Sequence, residues 1–563
     1  MSDTFDTTPI ITLNDFNEMT PQQSYYGPKP LILLILDGWG IGPNNAGNAI
    51  ARAQTPNIDS YWLNFPHTQL GASGEYVGLP KDEDGNTETG HLNIGAGTIV
   101  YQSLPRINAA IEDESFFQNH AFVNACAHTI QNKSNLHIMG LIGTGEVHSS
   151  IKHLYSLLEI AKQQGVKNVY LHGFTDGRDS HPTSGIEIVK DIIKKTKEIG
   201  VGKIVSLMGR YYAMDRDQRW DRIEKAYHAL VLGEGLEATD PITAIKEQYD
   251  NKVTDEFLEP ILITSEGKKQ LINDSDAVIF FNYRIDRPRE LTKAFSLSDF
   301  ETGGKTQEEH FDPYTEDGGL LTPEKKTVTF TRRKVLSNLY FTTMTQYEKS
   351  FPVDVAFSPQ LIENPICKVF SDYGLKQLRM AETEKERFVT YYMNGQKNEQ
   401  YPGEDRIIIP SKGVKSYDEL PEMSSREIAT EMLKRIEANT YDVIIANFAN
   451  PDMVGHTGNL EASIETCEIT DELVGQIVNA VYPKEGIVLI TGDHGNVEEL
   501  INNDTGKVDT EHSNNPVPLL IVGKKYEGNP STLPQGILAD IAPTMLSIMG
   551  IEKPPSMTGR ALI

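Results

Sequence analysis

The run Leu31–Leu36, LILLIL, which ends abruptly in Asp37-Gly38, constrains this chain more than any other stretch. Six consecutive apolar residues leave no polar face for solvent, so the segment is expected as a strand covered on both sides, as in a parallel sheet flanked by helices. The pattern recurs at Leu136–Ile142, Val169–His172, Ile204–Met208, Ala277–Tyr283, Asp442–Asn447 and Ile487–Thr491. Amphipathic helical stretches lie between these strands, at Ile151–Gln164 and Gly185–Ile199, and a further helical segment is expected over Gly536–Met549. Strands alternating with helices predict βαβ units and an α/β fold.

A chain of 563 residues exceeds the roughly 250 to 300 residues that one core can hold, so two or more domains are expected. The first and last thirds share a strand-then-Asp punctuation, whereas the middle third follows its strands with arginines, which suggests an inserted domain splitting a discontinuous one. Residues 300–334 turn polar, acidic and Gly- and Thr-rich and read as a surface insertion near a domain border. The expected division is an N-terminal extension over 1–26, a discontinuous domain over 27–101 and 336–563, and an inserted domain over 102–335 that includes the polar insertion.

A formal net charge of −27 repels polyanions, so nucleic acid is not an expected partner. A site for a small anion must then gather positive charge locally, as metal ions or converging arginines. No apolar run approaches the roughly 20 residues of a membrane helix. The acidic N-terminus lacks the basic start and apolar centre of a secretory signal. Three widely spaced cysteines, Cys126, Cys367 and Cys467, fit buried reduced thiols better than a disulfide framework, and a cytoplasmic protein is expected.

Three buried strands are each followed by a carboxylate: Asp37, Asp452 in NPDMVGH, and Asp493 in TGDHGN. Ligands collect at the carboxyl ends of parallel strands, where such residues can meet. His456 follows Asp452 by four residues, His494 follows Asp493 directly, and His512 lies in TEHSNNP. Mixed carboxylate and imidazole donors suit Mn²⁺ or Zn²⁺ better than Mg²⁺ or Ca²⁺. Taken singly, Asp37-Gly38 is more often a turn than a metal ligand and each histidine more often an ordinary surface or core residue; the set points to metal. The glycine-rich stretch GNTETGHLNIGAG places Thr87 just before a predicted helix start. A hydroxyl there can coordinate a metal, ionise and attack phosphorus, or simply cap the helix. DGRDS, GRYYAMDRDQRW and NYRIDR set Arg178, Arg210, Arg216, Arg284 and Arg287 after predicted strands. Their forked donors suit carboxylate and phosphate, although each also has an aspartate neighbour available for an ordinary ion pair.

In the order LDGWG, GHLNIGAG, GRYYAMDRD, AETEK, NPDMVGHTG, DHGN and NPVP, from about Leu31 to Ile563 outside the polar insertion, the chain resembles the 2,3-bisphosphoglycerate-independent phosphoglycerate mutases, a branch of the alkaline phosphatase superfamily. The resemblance implies a two-domain α/β protein, with an alkaline-phosphatase-like metal domain made of both chain ends and an inserted α/β phosphotransferase domain. It implies an isomerase of glycolysis and gluconeogenesis that interconverts 3-phosphoglycerate and 2-phosphoglycerate through a phosphoenzyme. Two divalent ions would serve it, Mn²⁺ foremost with Zn²⁺ and Co²⁺ as alternatives, without 2,3-bisphosphoglycerate, in a monomer. Asp452, His456 and His512 would hold one ion, and Asp37, Asp493, His494 and the Thr87 oxygen the other.

By the same resemblance, His148, Arg178, Asp179, Arg210, Arg216, Arg284, Arg287 and Lys385 form the substrate-binding set. Thr87 is then the phosphoryl acceptor, Lys385 offsets charge on the transferring group, Asp179 moves protons and His148 positions. Thr98–Leu104 and Leu336–Thr343 would connect the domains and hinge a closure that keeps water from the phosphoenzyme. Leaky closure would instead leave a metal-dependent phosphomonoesterase, the competing expectation. One departure stands out: the family has serine in Gly-Asn-Ser-Glu-Val-Gly-His, where this chain reads Gly-Asn-Thr-Glu-Thr-Gly-His. The extra methyl of Thr87 crowds an attack and stiffens χ1.

Overall fold

The structure, a computed structural model, describes residues 27–302, 329–502 and 505–563. The expected extension over 1–26 and most of the polar insertion lie outside the described residues. The chain divides into two compact units, one made of both chain ends, through Tyr101 and from Leu361, and one of Gln102–Gln360.

Sixteen strands are described. The first unit opens with β1 (Leu31–Leu36) and β2 (His67–Gly71). The second holds β3 (Leu136–Ile142), β4 (Val169–Thr175), β5 (Lys203–Gly209), β6 (Leu236–Ala238), β7 (Ile261–Ile263), β8 (Ala277–Phe280), β9 (Tyr340–Thr345) and β10 (Asp354–Phe357). The chain then returns to the first unit with β11 (Gln377–Glu382), β12 (Glu404–Ile409), β13 (Val443–Phe448), β14 (Ile487–Thr491), β15 (Val517–Val522) and β16 (Gly536–Ile537).

In the first unit the sheet order is β12-β11-β13-β1-β14-β15-β2-β16. β1 lies between β13 and β14, parallel to both, with Leu31 level with Val443 on one side and Ile487 on the other. Every residue of β1 is fully buried, so its apolar run is covered on both faces as its composition demands. Each such side chain contributes about 1.5–3 kcal/mol by leaving water. The second sheet, β10-β9-β8-β3-β4-β5-β7-β6, is parallel except between β5 and β7. Along β3 the side chains alternate between two cores. Ile138 and Ile142 pack with Leu154 and Leu157 of the helix Ile151–Gln163, and Met139 and Leu141 pack with Ile223 and Tyr227 of the helix Trp220–Leu232.

Several expectations need correction. The second border does not fall at 335/336: β9 and β10 pair with each other and β9 with β8, so the chain stays in the second unit through Gln360. Leu336–Thr343 is therefore internal to that unit and runs into β9. The described flanks of the polar insertion are not loose surface. Phe300 and Phe330 are buried against each other, and Arg332 donates to Glu301 and to the Ala294 carbonyl. The expected helix over Gly536–Met549 is α-helical only from Ile541; before it, Gly536 and Ile537 form β16, which pairs with β2, and a 3-10 turn over Leu538–Asp540 follows, in which the Asp540 carboxylate accepts from the Ile537 amide. β8 stops at Phe280 rather than running to Tyr283, because the Asn282 side chain accepts the Leu141 amide. All three cysteines are free and buried, and burial pushes the Cys126 thiol up to about 12 and the Cys367 thiol up to about 11. Among the described residues no helix is long and apolar enough to cross a membrane.

Candidate metal centre and arginine cluster

The strand order of the first sheet explains how distant carboxylates meet. β13, β1 and β14 are adjacent and parallel, so the residues just past their carboxyl ends share one edge. Asp37 follows β1 directly, Asp452 sits in the short helix Asn450–Gly455 after β13, and Asp493 and His494 follow β14. Gly38 takes a left-handed φ of +69°, and a Cβ there would come within 2.9 Å of the Asp452 backbone, so the turn admits only glycine without displacing a site residue.

Thr87 enters from the helix Thr87–Ala96. It is not the cap: Asn86 caps the helix, its side chain accepting from the Thr89 amide at 2.9 Å, and this leaves the Thr87 hydroxyl for other partners. That hydroxyl donates to Asp37 Oδ1 at 3.3 Å, lies 3.0 Å from His494 Nε2, and accepts from Lys385 Nζ at 2.9 Å. Lys385 also donates to Asp37 Oδ1 at 2.9 Å and Asp452 Oδ2 at 2.6 Å. Asp452 Oδ1 lies 3.3 Å from His456 Nε2 and 3.4 Å from His512 Nε2, and these two imidazole nitrogens are 3.1 Å apart. The seven expected metal donors and Lys385 thus converge.

The donor set suits divalent cations. Donor atoms of Asp37, Asp493 and His494 lie within 4.8 Å of one another, as do those of Asp452, His494 and His512. Three buried carboxylates face a single ammonium, and Asp493 Oδ2 is buried without a hydrogen-bond partner. The surplus of negative charge registers on the bases. Burial works against protonation of His494, yet Asp493, Asp37 and Asp452 raise it to about 10. Burial likewise opposes the Lys385 charge, and Asp37, Asp452 and Asp493 outweigh it. A cation entering this centre finds partners already arranged, which is the condition for a mixed oxygen and nitrogen site.

In the second unit the carboxyl ends of β3, β4, β5 and β8 carry the arginine constellation. His148 follows β3, Arg178 and Asp179 follow β4, Arg210 follows β5, and Arg284 and Arg287 follow β8. The ion pairs that offered the plainer reading are present. Arg210 donates to Asp176 at 2.6 Å and Asp179 at 2.5 Å, Arg178 to Glu256 at 2.5 Å and Arg216 to Asp286 at 2.8 Å. The pairs nevertheless converge. Burial lowers Arg287 to about 10, assisted by the positive charges of Arg210, Arg216 and Arg178. His148 lies between Asp179 and Asp286, at 3.8 and 3.6 Å, and burial lowers it to about 4.

Four residues of these sites escape a reading of the sequence. His91 and Asn447, both fully buried, adjoin Thr87, Asp37 and Asp493. Asp286 lies against His148, Arg216 and Arg284, and the positive charge of the two arginines helps hold its carboxylate below the usual range although burial pushes it up. Asp176 pairs with Arg210. Asn447 carried a signal, as the one amide in the apolar strand VIIANF, and Asp286 stands between the arginines of NYRIDR.

Carboxylates, imidazoles, a lysine and a hydroxyl gathered at strand ends in one unit, with arginines gathered at strand ends in the other, define an α/β enzyme of phosphoryl transfer. Residues 107–349 match the family model described as BPG-independent PGAM N-terminus. The chain is 46% identical over 536 residues to a 2,3-bisphosphoglycerate-independent phosphoglycerate mutase of Moorella thermoacetica, covering 95% of this chain and 98% of that protein. It is 49% identical over 536 residues to the protein of the same name from Clostridium acetobutylicum, covering 95% and 99%. A crystal structure of Leishmania mexicana phosphoglycerate mutase at low cobalt concentration superposes with a TM-score of 0.54 at 28% identity, covering 95% of this chain and 97% of that one. The chain belongs to the 2,3-bisphosphoglycerate-independent phosphoglycerate mutase family.

Proposed function

We propose that this enzyme interconverts 3-phosphoglycerate and 2-phosphoglycerate by passing the phosphoryl group through Thr87, with two divalent cations, Mn²⁺ foremost, in the centre of the first unit. The observation that carries the reading is the Thr87 hydroxyl, 6% exposed and set among Asp37, His494 and Lys385 at 3.3, 3.0 and 2.9 Å. Asp452, His456 and His512 would hold one cation, and Asp37, Asp493, His494 and Thr87 the other. Bound there, such ions act as Lewis acids, easing ionisation of the hydroxyl and drawing charge from the phosphoryl oxygens.

The protein's own groups do the rest. Thr87 Oγ1, having released its proton, bonds to phosphorus as the bond from phosphorus to the 3-oxygen of the substrate breaks. Lys385 supplies a fixed positive charge to the transferring oxygens. The glycerate 3-oxygen takes up a proton, and the 2-hydroxyl gives one up as it attacks phosphorus and frees Thr87. Asp179 is the group assigned to both proton movements, and Arg210, which donates to it, fixes its orientation. The arginines bind the substrate carboxylate and phosphate by forked hydrogen bonds, while His148, held near neutral form by burial, orients a hydroxyl.

The reading includes a place in glycolysis and gluconeogenesis, a cytoplasmic setting and a monomeric state. Its test is incubation of the pure enzyme with 3-phosphoglycerate and Mn²⁺, followed by phosphorus NMR and phosphopeptide mapping after brief exposure. Formation of 2-phosphoglycerate with label on Thr87 is expected. Free phosphate without 2-phosphoglycerate would replace the mutase by a phosphomonoesterase.

A further inference from the structure

We propose that His91 and Asn447 are positioning residues of the metal centre, holding Thr87, Asp37 and Asp493 in the arrangement that receives the ions without ligating one themselves. The inference rests on the reading of that centre as a divalent metal site. Asn447, near the end of β13, donates from Nδ2 to Asp37 Oδ2 at 2.6 Å and lies 3.1 Å from His91 Nε2. His91, one helical turn after Thr87, brings Nδ1 to 2.9 Å from the Thr87 carbonyl and 3.2 Å from Asp493 Oδ2. Neither residue has any solvent exposure.

These contacts fix the hydrogen positions. A carbonyl only accepts, so His91 Nδ1 carries the hydrogen and donates to Thr87, and Nε2 accepts from one amide hydrogen of Asn447. The other amide hydrogen goes to Asp37. Turned over, the Asn447 oxygen would face the Asp37 carboxylate, so the amide has one workable orientation.

The consequence is a choice of which oxygens face the centre. With Oδ2 engaged by Asn447, Asp37 presents Oδ1 to Thr87, Lys385 and His494. Asp493 accepts the Gly38 and His494 amides on Oδ1, at 3.2 and 3.1 Å, which leaves Oδ2 beside the His91 ring with no hydrogen bond. One chain of donors and acceptors therefore ties two ligands from two different elements, Thr87 and Asp37, and sets the His91 ring against the third, Asp493. Partners behind metal ligands orient them, and their loss typically weakens metal binding about 10- to 100-fold. The competing account is that His91 and Asn447 merely satisfy one another inside the core.

The two accounts separate in calorimetric Mn²⁺ titrations of the metal-free full-length protein, with the melting temperature of each metal-free variant measured alongside. Asn447→Leu keeps the volume and removes the donors; we expect Mn²⁺ affinity to fall by about 10- to 100-fold. His91→Asn can keep an N–H near the Nδ1 position and so bind Mn²⁺ more tightly than His91→Gln, which keeps only the side facing Asn447. Parental Mn²⁺ affinity in folded Asn447→Leu and His91→Gln, with only melting temperature reduced, would overturn the proposal in favour of core packing. Should Asn447→Leu not fold, the two His91 variants decide by the same ranking. A parent protein that takes up no Mn²⁺ overturns the metal reading itself, an outcome distinguishable because it needs no variant.

Discussion

Lys385 Nζ lies 2.9 Å from Thr87 Oγ1 while also bridging Asp37 and Asp452, so one buried ammonium serves as counter-ion to two carboxylates and as donor to the hydroxyl between them. Removing it leaves carboxylates without their cation. Lys385→Met is expected to destabilise the metal-free protein by about 3–5 kcal/mol, the cost of breaking a buried pair. Calorimetry of the metal-free variant, repeated with Mn²⁺, checks this: the ion should recover most of the lost stability, and an unchanged melting temperature without metal would refute the counter-ion role.

Thr87→Ala should abolish both mutase activity and phosphoenzyme, with kcat falling by about 10³-fold or more, because nothing else replaces a nucleophile. Thr87→Ser keeps the oxygen and drops the methyl. Its kcat should stay within about tenfold of the parent, with mass spectrometry finding phosphate on the same position. Full activity in Thr87→Ala would remove Thr87 from the chemistry.

Asp286 accepts from Arg216 and lies close to Arg284 and His148. Asp286→Asn weakens the charge that aims those groups, and charged hydrogen bonds are worth about 1.5–3 kcal/mol. A rise in KM of about tenfold or more is expected, with a smaller change in kcat. Steady-state kinetics showing loss confined to kcat would contradict a binding role.

Glu290, buried in the helix Arg289–Ser296, accepts the Gln218 amide and so braces the loop that carries Arg216. Burial raises its carboxyl from 4.5 to about 8. Between those values the folded state holds a proton that the unfolded state has lost, so stability should fall as pH rises across that window. Glu290→Gln mimics the protonated form and should flatten this dependence. Melting temperatures from pH 5 to 9 read the result, and identical profiles for parent and variant would exclude the linkage.

Chelation should lower activity and melting temperature together, and Mn²⁺ should restore both. At a hundred times its dissociation constant a ligand stabilises by about 2.7 kcal/mol. Scanning calorimetry across a Mn²⁺ series checks the expected rise, and a melting temperature indifferent to both chelator and metal would count against the centre.

Much of the fold was legible because burial on both faces leaves a local mark. β1, β3 and β14 fall at the expected residues, since an unbroken apolar run can only be a covered strand or helix and these runs are too short for a helix. Of the donors that converge in the first unit, Asp37, Asp493 and His494 were legible as residues directly following such strands, and Asp452 as one a few positions further on. The border at 360 was not, because β9 and β10 carry threonines and an aspartate rather than a continuous apolar run, and only their pairing in the second sheet reveals their allegiance. The cap was left open as well: Asn86 and Thr87 are both competent residues, and only the helix geometry shows that Asn86 bonds the Thr89 amide.

By itself the sequence determined the α/β character, the strand interiors and the chemical kinds of donor available, because each follows from neighbours along the chain. Tertiary structure alone decided which donors meet. Asp37 and Asn447 stand 410 residues apart and touch because β1 lies beside β13, an ordering that depends on long-range crossovers and not on local pattern. The same holds for the pairing of Arg216 with Asp286 and for the contact of Asn447 with the His91 ring, since hydrogen bonds between distant side chains exist only once the elements that carry them have been brought side by side.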